Sequence, residues 1–214
     1  MIKQYSVVST LVIITVCIFI LQLVVPPLTG MFALQSNQLL MQPYRIVTYM
    51  FLHASFFHIL FNMYALYLFG SLLQQSIGAK RLITVYFATG IGAAILYMLP
   101  AVLTGQQVNA VGASGAVFGV IGALMVIMPR LPLLFFFVVP MPLWVAGIMF
   151  FLIDVIGMAG NTNVAHLAHI IGMLMGLGFG WYYKKKAKQF HKRFSRTFEL
   201  DDTDLDDYLR NGRL

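Results

Sequence analysis

The residues from Val7 to Val25, "VVSTLVIITVCIFILQLVV", contain no charged side chain, and runs of similar length and apolarity recur along the chain. This repetition limits the fold more than any other feature. Hydrocarbon offers no water to a backbone N–H or C=O, so a lipid-exposed segment must close its hydrogen bonds on itself, as a helix does. A bilayer core about 30 Å thick takes roughly 20 residues per helical crossing. Composition agrees: 60% of the 214 residues are hydrophobic, 10% are charged, and the mean hydropathy is +0.84, values that describe an integral membrane protein. The single Cys17 lies inside the first run, which excludes a disulfide framework, a CxxC pair and a thiol-rich metal site. No small-residue cleavage site follows that run, so it reads as a retained first span rather than a signal peptide.

Spans are expected at about 6–25, 51–73, 81–100, 113–129, 141–158 and 163–183, giving an all-α six-helix bundle over residues 1–183 and a tail over 184–214. Pro132, Pro140 and Pro142 interrupt "RLPLLFFFVVPMPLW", leaving the front of the fifth span free to dip into the interface without crossing. The loop "PPLTGMFALQSNQLLMQPYR" between the first two spans is apolar enough to rest on the membrane surface. With six spans, Lys3, Lys80, Arg81, Arg130 and the Lys184, Lys185, Lys186, Lys188 cluster fall on one side and only Arg45 on the other. Basic residues are retained in the cytoplasm, so both termini are expected there and Ser114 toward the opposite face. The net charge of +7 is mostly juxtamembrane and suits anionic lipid headgroups rather than nucleic acid. The tail divides into a basic part, "KKKAKQFHKRFSR", and an acidic part, "ELDDTDLDDYL", that either pair or stay solvated.

Polar groups buried in lipid are costly and usually face a bundle interior or a water-filled cavity. Few are present. The second span holds His53, His58 and Asn62, the fourth Ser114, the fifth Asp154, and the sixth His166 and His169. His58 and Asn62, four apart, share one helix face and offer two hydrogen-bond donors. His169, Gly172, Gly176 and Gly180 form a stripe on the sixth span, and Gly115, Gly119 and Gly122 form another on the fourth. If the stripes meet by small-residue packing, Ser114 and His169 come within reach of each other near the outer ends of their helices. A serine hydroxyl needs a base to become a nucleophile, and histidine suits that role near neutrality. Gly112 and Gly115 clear space for a substrate backbone, and free N–H groups at the start of the fourth span, with His58 and Asn62, could stabilise an oxyanion.

These residues stand in motifs that resemble the rhomboid intramembrane serine proteases over roughly residues 5–183. "GASG" at 112–115 is similar to the nucleophile motif of that family, "HASFFHILFN" to its H-x-x-x-x-H-x-x-x-N helix, "AHIIG" at 168–172 to its A-H-x-x-G, and "YR" at 44–45 to an aromatic–Arg pair. The resemblance implies Ser114 as nucleophile and His169 as base. It implies an oxyanion hole of Asn62, His58 and the Ser114 N–H, with His53, Gly112, Gly115, Gly172 and Arg45 in support. Implied partners are transmembrane protein substrates and membrane lipids, without cofactor or metal, and substrate entry lies between the second and fifth spans. Phe118 stands where many relatives carry tyrosine, and Gln74 where many carry an acid.

Rival readings are weaker. A serine among glycines also serves helix packing. A metal site on His53, His58, His166 and His169 lacks H-E-x-x-H, and Glu199 in the tail is the only glutamate. A transporter would show more intramembrane charge or an inverted repeat. An inactive relative that binds membrane clients is the runner-up, although both Ser114 and His169 are present. His166 is expected to make an interhelical hydrogen bond or face water, and Asp154 to act as a hydrogen-bonding cap near the outer end of the fifth helix; the sequence assigns it no pairing with His169. A dyad without an acidic third member is expected to turn over slowly. Short loops and the lack of a leader point to a prokaryotic plasma membrane.

Overall fold

The computed structural model describes residues 6–135, 138–160, 164–194 and 210. The acidic part of the tail and Asn161 to Asn163 lie outside the described residues. The chain is mostly helical. It opens with α1 (Val7–Val24), whose start is tied down where Gln74 Oε1 accepts from Ser6 Oγ at 3.2 Å and from the Val8 N–H at 3.3 Å. The following loop carries α2 (Pro27–Phe32), strand β1 (Leu34–Gln35), a 3-10 turn at Ser36–Gln38, α3 (Arg45–Thr48) and a second 3-10 turn at Tyr49–Phe51. Buried Arg45 organises this loop: Nη1 donates to the carbonyls of Gly30 (2.9 Å) and Ala33 (2.6 Å), and Nε to Gln42 (2.7 Å).

The expected second span begins later than residue 51. Ser55 caps α4 (Phe56–Ala65) by accepting from the His58 N–H at 3.2 Å, so His53 sits on the irregular segment before the helix rather than within the span. A π-helical turn (Leu66–Gly70) continues α4 into α5 (Ser71–Ile77), making one rod from Phe56 to Ile77. After α6 (Ala79–Thr104) comes β2 (Asn109–Ala110), which pairs antiparallel with β1, Leu34 against Ala110 and Gln35 against Asn109. Then follow α7 (Ser114–Ile127), the strands β3 (Pro132–Phe135) and β4 (Val139–Pro142), α8 (Leu143–Gly157) and α9 (His166–Phe194).

Among the described residues three helices, Val7–Val24, Phe56–Ile77 and Ala79–Thr104, are long and apolar enough to cross a membrane. α7 and α8 are apolar but only 14 and 15 residues long. The prolines before α8 deny the chain helical N–H donors, and it pairs with itself instead, Pro132 against Pro142 and Leu134 against Pro140. The two small sheets are the departure from an all-α bundle. α9 continues through residue 183 into the basic segment without a break.

Burial is inverted relative to a water-soluble domain. Leu103, Val24 and Phe57 are 76%, 72% and 66% exposed, while Thr15 and Thr89 are fully buried. Each threonine donates to its own helix, Thr15 to Leu11 O and Thr89 to Val85 O, both at 2.8 Å. At one end of the bundle Lys184 Nζ donates to Val126 O (2.6 Å), Arg81 lies over the Tyr183 ring, and Lys185 and Lys186 lie over Trp181 and Tyr182. Ser114 is at the other end of α7, about 20 Å away at the helical rise.

The centre is the packing of α7 on α9. A Cβ added at Gly172 would strike the Gly115 carbonyl, one at Gly176 the Gly119 carbonyl, and one at Gly180 the Ala123 carbonyl. The two glycine stripes therefore meet along three successive turns, with backbone against backbone. Gly176→Val is expected to lower stability by about 1–3 kcal/mol or more through overpacking. Gly178→Ala, which meets open space, should be neutral or stabilising by up to about 1 kcal/mol. Denaturant titration of both variants in detergent micelles checks the contrast.

Candidate active site

Ser114 is the first residue of α7, and what precedes it fixes where it stands. The segment leading to it is stitched to the first loop. Ser36 N–H donates to Val108 O (3.0 Å), Ser36 Oγ donates to Gln106 O (2.7 Å), and the same oxygen accepts from Val108 N–H (3.0 Å). Gly112 N–H donates to Tyr49 O at 2.9 Å, and the Tyr49 hydroxyl donates to Gly90 O at 2.8 Å. Gly112 has φ of +126°, and a Cβ there would lie 2.8 Å from both Cε1 and Nε2 of His58. Only glycine lets the loop take this turn with the imidazole against it. The N-cap, Ala113, supplies no side-chain acceptor to the first-turn amides of α7.

On the other side stands α9. A Cβ at Gly115 would be 3.5 Å from Ala168 O, so the residue after the serine meets the residue before His169. Phe118, one turn beyond Ser114, stacks on the His169 ring with centroids 4.4 Å apart and planes 10° from parallel. The ring face thus has a partner despite the absence of tyrosine at this position. Ser114 and His169 occupy facing turns of α7 and α9.

His169 has a second partner that sequence reasoning did not assign. Its Nδ1 lies 3.0 Å from Asp154 Oδ1, and Nδ1 of His166 lies 2.6 Å from the same oxygen. Asp154 is buried, and this pairing goes beyond its sequence reading as a cap near the outer end of the fifth helix. The one signal available was that, of seven acidic residues, only Asp154 precedes residue 199. Among the described residues, this carboxylate and the two rings form the one group whose ligand atoms, all within 4.8 Å, could hold a metal ion. The separations of 2.6 and 3.0 Å match charge-assisted hydrogen bonds. They are shorter than the roughly 3.3 Å between neighbouring ligands that tetrahedral zinc with bonds near 2.05 Å requires.

The histidines fall into two pairs. His53 and His58 meet edge to face with centroids 4.9 Å apart. His58 Nδ1 accepts a long hydrogen bond from Ala54 N–H (3.4 Å), which assigns the proton to Nε2, the atom facing Gly112. Asn62 spends one N–H on its own helix, donating to His58 O at 2.9 Å. His53 is held by Gln22, a residue missed in the sequence. The His53 N–H donates to Gln22 Oε1 (3.0 Å), and Gln22 Nε2 donates to His53 O (3.3 Å) and Thr29 Oγ1 (2.8 Å). Burial pulls the His53 imidazole down to about 3, so it is neutral at physiological pH. Arg45 donates to the carbonyls of Gly30 and Ala33 in the loop whose strand β1 pairs with β2 ahead of Ser114.

Residues 40–186 match the family model described as the Rhomboid domain. The chain is 32% identical over 171 residues to "Rhomboid protein 1, mitochondrial" of Saccharomyces cerevisiae, covering 75% of this chain and 49% of that one. It is 32% identical over 164 residues to "RHOMBOID-like protein 6, mitochondrial" of Arabidopsis thaliana, covering 71% and 50%. It is also 32% identical over 153 residues to "Presenilin-associated rhomboid-like protein, mitochondrial" of Bos taurus, covering 69% and 38%. The chain spans about half or less of the length of these curated relatives. Their mitochondrial names overturn the expectation of a prokaryotic plasma membrane, which rested on loop length and the lack of a leader. By the match over residues 40–186 and by these relatives, the chain belongs to the rhomboid family.

Proposed function

We propose that the protein is an intramembrane serine endopeptidase that cleaves single-span membrane proteins near one edge of their transmembrane helix. Rhomboids are generally intramembrane serine proteases. In this reading six segments span the membrane, both termini lie on the basic side, and the site opens toward the other. The mitochondrial names of the relatives point to a mitochondrial membrane. Ser114 Oγ attacks the scissile carbonyl while His169 takes its proton. His169 then delivers that proton to the leaving amine, and water releases the acyl group from Ser114. The oxyanion is met by first-turn amides of α7, including the Ser114 N–H, and by donors from His58 and Asn62.

The observation that carries the reading is the seating of His169. Its ring is stacked on Phe118, one turn from Ser114, where Gly115 and Gly172 bring the two backbones together. A serine used only for packing needs no imidazole held on the facing turn. The competing reading, a client-binding relative without activity, predicts binding that survives loss of either residue.

Co-expression with a reporter carrying one transmembrane helix tests the proposal. Ser114→Ala and His169→Ala should each lower cleavage by at least ~10²-fold. Equal product from wild type and Ser114→Ala would end the assignment. Gly112→Ala should lower kcat at least about tenfold at little changed KM, because its Cβ strikes His58 and displaces an oxyanion donor. Michaelis kinetics on purified protein, with helix content checked by circular dichroism, measure this.

A further inference from the structure

Asp154 is an expensive residue to keep. It is the only carboxylate before residue 199, it lies in the apolar helix α8, and it is 3% exposed. An ionised carboxylate at such a place is tolerated where donors surround it, and it commonly marks function. Both donors come from α9. His166 and His169 are three apart, hence on one helix face, and both turn Nδ1 to the same oxygen at 2.6 and 3.0 Å. The seat of His166 is also shaped. Gly157, three residues after Asp154 on α8, lies under the His166 ring, and a Cβ there would collide with it.

An ionised carboxylate only accepts hydrogen bonds, so each Nδ1 must carry a proton. For His169 this assigns the neutral tautomer with Nδ1–H and an unprotonated Nε2. The tautomer decides whether the imidazole can be a base at Nε2. With the proton on Nε2 instead, the ring presents a donor where an acceptor is required. Phe118 fixes the plane of the ring but not its tautomer, because stacking engages a face of the imidazole without regard to which nitrogen is protonated.

We propose that Asp154 is a positioning residue of the hydrolytic reaction, holding His169 in the Nδ1–H tautomer while His166 anchors the carboxylate; this rests on the protease reading above. In the first step the Ser114 Oγ–H bond breaks, its proton goes to His169 Nε2, and Oγ bonds to the scissile carbon. The Nδ1–H of the resulting imidazolium stays hydrogen-bonded to Asp154, which remains unprotonated and stabilises the positive charge. The Nε2 proton then leaves with the amine as the C–N bond breaks, and the deacylating water repeats the cycle through Nε2. His166 keeps its own Nδ1–H throughout. It holds Oδ1 in place when the bond to His169 changes strength.

The test uses the full chain in nanodiscs with ¹⁵N-labelled histidine, the His169 signals being assigned with His169→Gln. At mildly alkaline pH the wild type should show His169 as the Nδ1–H tautomer. Asp154→Asn keeps the shape but can donate from its amide. It should lower kcat roughly 10²-fold with KM within about twofold, and shift the His169 signature toward Nε2–H. Asp154→Glu, which remains an acceptor only, should recover part of the rate. The proposal is overturned if folded Asp154→Asn cleaves within twofold of wild type, or if its rate falls while the His169 signature stays Nδ1–H. Should Asp154→Asn fail to fold, the wild-type spectrum decides, and Nε2–H at His169 sinks the idea. A wild type that cuts no better than Ser114→Ala ends the protease reading instead, with the tautomer assignment still read from the same spectrum.

Discussion

The site depends on two helix backbones being allowed to touch. In a lipid environment no hydrophobic force draws one apolar helix to another, so close association rests on packing and on polar links. α7 and α9 supply the packing by omitting side chains on both surfaces, so that Gly172, Gly176 and Gly180 lie on carbonyls of the facing helix. That proximity is what puts Phe118 on the His169 ring and Gly115 beside Ala168. A methyl group at the wrong place would move the helices apart by more than a hydrogen bond can stretch.

Around this contact the polar residues act as point fasteners. Gln74 holds the start of α1 to α5, Gln22 holds the segment of His53, and Arg45 draws loop carbonyls together. Buried polar groups are costly when unpaired, so each of these fixes one geometry rather than merely adding stability. They matter most where the backbone is irregular. The loop carrying Gly112 has no helix of its own, and its position comes from β1, Ser36 and Tyr49.

The polar cluster of Asp154, His166 and His169 follows the same rule with charge added. One carboxylate oxygen serves two imidazoles, which satisfies the acid and orients the ring nearest the serine turn. His53 is the opposite case. It is neutral by burial, and its ring meets that of His58 edge to face.

The sequence by itself determined that the chain seeks hydrocarbon, where most helices run, and which polar residues are the candidates for chemistry. Hydropathy and glycine spacing are local and periodic, and a helix displays them directly. The motifs around His58, Ser114 and His169 were legible for the same reason. Only the tertiary structure decided what Asp154, Gln22 and Tyr49 do, because each acts on a partner from another element. It also decided that His53 stands off its helix, since a serine cap three residues before His58 outweighs the apolar pattern, and that the prolines before α8 pair as strands. A one-dimensional pattern records which face of a helix is polar. It does not record which other face will meet it, and the tautomer of an imidazole is settled by that meeting alone.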